Sequence, residues 1–141
     1  MNERYLYRGK RKDNGEWIYG GHMYVESLDR HIIVEHDGCK QFSDECFGFS
    51  AVIPETVGQC TGLKDKNGNW IFEGDIIEVS TNHHYVGVAV ERQGTFEVVF
   101  RGGCFMKKKI NGTGMFHFIE TDATRIIGNI YDNSELLKGG D

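Results

Sequence analysis

Between Pro54 and Val79 the chain reads PETVGQCTGLKDKNGNWIFEGDIIEV, and this stretch restricts the fold more than any other. Asn67-Gly68 is a reversal signal, because both residues tolerate positive φ where other residues are strained. Alternating apolar residues on either side make the reversal a β-hairpin. A two-residue loop would set Lys64 opposite Ile71. A three-residue loop of Lys66, Asn67 and Gly68, with Gly68 left-handed, sets Leu63 opposite Ile71 and Lys64 opposite Trp70. The second register is preferred, since it pairs apolar with apolar and lays a cation on an indole, each such pair contributing roughly 0.2–1 kcal/mol. Downstream, Glu73-Gly74-Asp75 reads as a turn in which Gly74 takes positive φ and the Asp75 carboxylate accepts a backbone N–H.

The same device occurs earlier. Gly9 to Gly21 (GKRKDNGEWIYGG) aligns without a gap with Gly62 to Gly74 (GLKDKNGNWIFEG) at an offset of 53 residues, with six identities in thirteen positions. Either an internal duplication or convergence on good hairpin chemistry produces such a match. By analogy the first hairpin is expected to set Lys12 opposite Glu16 and Arg11 over Trp17, with Gly20-Gly21 bending or ending the strand. Met23 to Val25 and His31 to Val34 read as two further strands, and Asp37-Gly38 as the turn that follows. Gln41 to Phe49 fits a short capped helix and a strand equally well. Pro54, the only proline, marks a boundary between lobes.

Beyond the second hairpin, Ile76 to Val79 reads as a strand whose Glu78 faces water. Tyr85 to Glu91 and Thr95 to Phe100 read as a pair, followed by Met115 to Glu120 and Arg125 to Tyr131. These make about five strands, the number an SH3-like barrel needs. Asn133 is placed to cap a helical turn carrying Leu136 and Leu137.

Tyr7-Arg8-Gly9-Lys10 with the following Asn-Gly-x-Trp, then TVGQ, TGLKDKNG and EGDII, and the closing IIGNIYDNSELL together resemble the YopX family encoded by phages and prophages. The resemblance spans nearly the whole chain and departs from the family pattern at Cys60 and Trp70. It implies a mainly β protein with an SH3-like C-terminal barrel; with Pro54 as the boundary, the expected division is an N-terminal β-hairpin lobe over residues 1–55 and a C-terminal SH3-like β-barrel over 56–138, with 139–141 frayed. It implies a phage-derived cytoplasmic protein in a bacterial host and no established activity.

Several chemistries are poorly supplied. His36, Cys39 and Cys46 lack zinc-knuckle spacing, and the adjacent His83 and His84 would point to opposite faces of a strand. No phosphate-loop or dinucleotide fingerprint is present, and Cys, Ser, His and acidic residues occur without a nucleophile signature. The expectation is therefore a non-enzyme with no metal and no cofactor. No run approaches the ~18 apolar residues of a membrane span, and Met1 to Tyr5 carries no apolar signal core. Four cysteines are too few for a disulfide framework and are expected to stay reduced.

Binding remains. Lys107, Lys108 and Lys109 in a glycine-flanked segment, with Arg11 beside Trp17, form the candidate patch for nucleic acid or another partner. A formal net charge of −5 argues against broad nucleic-acid binding, which draws most of its affinity from phosphate neutralisation. Open sheet edges favour self-association or an unknown phage or host protein as partner, and no membrane.

Overall fold

A computed structural model describes residues 5–35, 49–80, 93–118 and 121–138. The chain divides into two compact units, residues 1–60 and 61–141. Both are built from antiparallel strands, and the only helical pieces among the described residues are 3-10 turns of three to five residues.

In the first unit β1 (Tyr7–Lys10), β2 (Trp17–Val25), β3 (Arg30–Glu35) and β4 (Phe49–Ala51) lie in the order β4-β3-β2-β1, and β5 (Gly58–Lys64) pairs with the outer edge of β1. Strand alternation sorts the side chains into two faces. Ile18, Ile33 and Val52 form the buried core of one face, with Tyr7 and Val57 packed against them. Gly20 and Gly21 neither bend nor end β2, which runs through them unbroken for nine residues. Gly20 is needed because a Cβ there would stand 1.8 Å from the Val34 carbonyl oxygen. It is a close-approach glycine. Pro54 opens a 3-10 turn, Pro54–Thr56, at the position where its missing N–H costs nothing.

β5 continues into the second unit, where it pairs with β6 (Trp70–Phe72). There β7 (Asp75–Val79), β8 (Gly94–Arg101), β9 (Cys104–Lys109), β10 (Met115–His117) and β11 (Thr124–Asn129) form an open five-stranded sheet in the order β10-β9-β8-β7-β11. Its core is Ile71, Ile77, Val79, Phe96 and Val98, closed by Phe116, Phe118 and Ile126. β8 takes its partners from β7 and β9. The strand expected over 85–91, the turn at Asp37-Gly38 and the ambiguous residues 41–48 lie outside the described residues.

The two aligned hairpins turn differently. In the second, Asp65 N donates to the Asn69 carbonyl at 2.8 Å and Gly68 N to the Asp65 carbonyl at 3.0 Å, the expected three-residue loop with Gly68 at φ +85°. Lys64 Nζ stands 4.5 Å from the Trp70 ring centroid, as that register requires. In the first, Arg11 rather than Lys12 faces Glu16, and Lys10 rather than Arg11 faces Trp17. The expected register is displaced by one residue, and the loop is four residues long. The cause lies in what stands at one equivalent position. Asp65 accepts the Asn67 and Asn69 N–H groups through Oδ1 and so closes a short loop. Lys12, its counterpart, carries only donors, and its own N–H is drawn to the Ala51 carbonyl at 3.0 Å.

Gly68 leaves open space where a Cβ would stand, so Gly68→Ala bears only the conformational cost of a left-handed residue. We expect a loss of about 1 kcal/mol in urea denaturation followed at Trp70. An unchanged midpoint would mean that the turn does not hold Gly68 left-handed.

The IIGNIYDN segment also has a specific local use. β11 carries a bulge between Ile126 and Gly128, and a Cβ on Gly128 would meet Asn133 Oδ1 at 2.5 Å. The glycine admits Asn133, whose Oδ1 accepts the Asn129 N–H at 3.1 Å. Asn133, directly before the 3-10 turn Ser134–Lys138, thus ties the start of that turn back to the strand. Asn129 Oδ1 in turn accepts the N–H groups of Tyr131 and Asp132.

Candidate functional site

The lysine triplet does not form a solvated loop. It lies on β9, where alternation sends Lys107 and Lys109 to one side and Lys108 to the other. Lys107 is only 1% exposed. Its ammonium stands 5.2 Å from the Phe96 ring centroid and 5.6 Å from that of Phe118, and burial lowers its pKa to about 8. Lys109 Nζ donates to the Gln93 carbonyl at 3.2 Å and lies 5.0 Å from the Phe96 centroid. Lys108 alone of the three is exposed, so the triplet does not present one cationic surface.

The other half of the expected patch is also rearranged. Trp17 lies under Arg8, whose Cζ is 4.7 Å from the ring centroid, and under Lys10 at 5.5 Å. Arg11 is drawn instead to Asp13, with Nη2 to Oδ2 at 2.7 Å. That hydrogen bond raises the guanidinium pKa and lowers the carboxyl pKa.

The carboxylates near the second hairpin work structurally. Gly74 has φ +92° and Asp75 Oδ2 accepts the Phe72 N–H at 2.7 Å in a buried site, as the turn reading requires. Asp65 does more than the sequence suggested. Besides the two turn amides on Oδ1, its Oδ2 accepts the Ile126 N–H at 3.1 Å from β11. Burial works to raise its pKa, but the amides of Asn69, Ile126 and Asn67 outweigh that and lower it. No local motif marks Asp65 as a clamp between a turn and a strand 61 positions away. The only clue in the sequence is an Asp two residues before Asn-Gly, the spacing of a side chain that can cap the turn.

A histidine pair that the sequence reading missed sits on β2 and β3. His22 Nε2 and His31 Nδ1 are 2.9 Å apart. Ring planes 6° from parallel and centroids 5.2 Å apart are what two rings joined edge to edge by that bond require, so the rings are coplanar and not face-stacked. One nitrogen carries the proton and the other accepts it. Burial, and then the charge of His31, lower the His22 pKa. Tyr7 and Tyr24 flank the pair at 5.5 and 4.9 Å, and the Tyr24 hydroxyl donates to Asp29, which raises its pKa. Among the described residues no three His, Cys, Asp or Glu side chains come together as metal ligands. His36, Cys39, Cys46, His83 and His84 lie outside that set.

The most conspicuous surface is apolar. Gly21 faces Val34 and Val34 faces Phe49 across β2, β3 and β4, which places Tyr19, Met23, Val34 and Phe49 on one face. They are 45, 52, 40 and 46% exposed. Between them, a Cβ built on Gly21 would meet no atom within 4 Å. The face therefore has a recess at its middle.

Among the described residues no helix is long and apolar enough to cross a membrane. A family model described as "YopX protein" matches residues 6–138. Among solved structures, the crystal structure of protein EF1440 from Enterococcus faecalis is similar, with a TM-score of 0.57 and 24% identity, covering 93% of this chain and 96% of that one. At that identity the likeness concerns the fold alone. No curated protein matches the chain.

Proposed function

The chain belongs to the YopX family, and from that premise we propose that it is a non-catalytic binding or assembly module of phage or prophage origin, working in the bacterial cytoplasm. The observation that carries this reading is the exposed face of Tyr19, Met23, Val34 and Phe49 around the Gly21 recess. A run of half-exposed apolar side chains across three strands is costly in water and gains stability when a partner covers it. The acidic and basic groups that a reaction centre would recruit are in part committed elsewhere. Asp75 and Asp65 hold backbone amides, and Lys107 is buried among phenylalanines.

The second unit is read as SH3-like at the level of strand order. β7 to β10 form a meander, and the last strand returns to pair with the first. That order supports a small barrel as the finer description of the unit.

A second copy of the chain is the partner this reading takes first. Light scattering on the full chain at tens of micromolar is expected to give a mass above the monomer, and Val34→Glu, which puts a charge in the middle of the face, is expected to return it to the monomer. A monomer at every concentration would remove self-assembly and leave an unidentified phage or host protein. The alternative reading, a nucleic-acid-binding regulator, draws its support from Arg8 and Lys10 over Trp17 and no longer from a loop at 107–109.

A further inference from the structure

Beside β4, the first unit has a shallow cleft of about 470 Å³ lined by Arg11, Lys12, Asp13, Arg30, Phe49 and Ser50, among others. Three cations meet one carboxylate there, in a chain of formal net charge −5. The local balance thus opposes that of the whole molecule. Asp13 is spent on Arg11, which leaves Lys12 and Arg30 as the unbalanced charge of the cleft. Among the described residues neither Lys12 nor Arg30 has an ion-pair partner. Phe49, nearly half exposed, adds an aromatic surface to the same cleft.

Cations alone would accept any anion. A cluster of cations with an exposed aromatic ring selects an anion that carries a flat π system. The volume falls within the few hundred Å³ of ordinary ligand clefts. We propose that this cleft binds a nucleotide, with its phosphate on Arg11, Lys12 and Arg30 and its base against Phe49. The nucleotide is either free or one unit of a single strand, since the recognised chemistry is the same. Phe49 belongs also to the apolar face of the self-assembly reading, so a second copy and a base would compete for it; Val34→Glu alone probes self-assembly, and Lys12→Glu/Arg30→Glu alone probes the cleft.

Calorimetric titration of the full chain with inorganic phosphate, thymidine monophosphate and a ten-residue oligothymidylate, at low and physiological salt, tests the assignment. The monophosphate is expected to bind more tightly than phosphate, and Phe49→Ala to abolish that difference. The double variant Lys12→Glu/Arg30→Glu is expected to weaken nucleotide binding at least tenfold, while Lys108→Glu, on an exposed lysine of the other unit, leaves it unchanged. If the oligonucleotide is the true ligand, its affinity exceeds that of the monophosphate and falls with salt at a log–log slope of about −2, the value for three phosphate contacts on a single strand. If the free nucleotide is the ligand, the two bind alike. The lining cations are on the surface, so unchanged near-ultraviolet dichroism of the double variant shows that it folds. The proposal is overturned if phosphate binds as well as the nucleotide, if none of the probes binds at millimolar concentration, or if the double variant binds as the parent does.

Discussion

Asp65→Ala is expected to lower the stability of the second unit by about 3–5 kcal/mol. Three backbone N–H groups, those of Asn67, Asn69 and Ile126, lose their acceptor at once. A buried donor left unpaired costs about 1–3 kcal/mol, and the turn amides are near enough to the surface to recover part of that from water. Asp65→Asn separates two explanations. It keeps one acceptor oxygen for the turn, but it sets an amide NH₂ where Oδ2 received the Ile126 N–H, so donor meets donor. We expect the asparagine variant to lose roughly half as much as the alanine variant, with hydrogen exchange at Ile126 accelerated while the turn amides stay protected. The carboxyl pKa is lowered in the folded state, so its contribution is complete above the ordinary aspartate value of about 4 and disappears as pH falls through the folded value. An alanine variant with an unchanged urea midpoint, or one whose acid sensitivity equals that of the parent, would rule out the clamp.

What could be read from the chain beforehand was mostly local. The left-handed Gly68, the Lys64–Trp70 contact and the Asp75 side chain on the Phe72 amide depend on residues within a few positions of one another, where turn chemistry and strand alternation suffice. The first hairpin is displaced by one position because Lys12 stands where Asp65 closes the second turn, a difference visible in the aligned residues, and because the Ala51 carbonyl of a distant strand captures the Lys12 N–H, which is not. The bend expected at Gly20-Gly21 is absent because the glycine serves a distant contact: the atom that excludes a side chain at Gly20 belongs to Val34. Asn133 does stand directly before a helical turn, but that its side chain also reaches the Asn129 N–H past Gly128 depends on the bulge in β11 and is not marked locally. As to the candidate site, residue type identified the aromatic and basic side chains, but not how strands β8 and β9 enclose one lysine of three.

That lysine carries the remaining large expectation. Lys107→Met should stabilise the second unit at pH 7 by about 2–3 kcal/mol, because a folded-state pKa near 8 against 10.5 in the unfolded chain corresponds to at most about 3 kcal/mol of penalty on the protonated form. Below pH 8 both folded and unfolded chains hold the proton, and the penalty is complete. Between pH 8 and 10.5 the unfolded chain still binds a proton that the folded one has released, so the parent gains stability as pH rises. The methionine variant lacks this gain, and the gap between the two is expected to close across that window. Attraction of the ammonium to the faces of Phe96 and Phe118 works against the cost of desolvation, and the pH profile decides which is larger. A methionine variant less stable than the parent at pH 7, with a gap that holds level up to about pH 10.5 and closes above it, would mean that the charged form is held by net attraction. Lys107 would then be a cation that the fold seeks out. A gap that closes between pH 8 and 10.5 would instead mark it as a buried charge that the fold holds at the expense of stability.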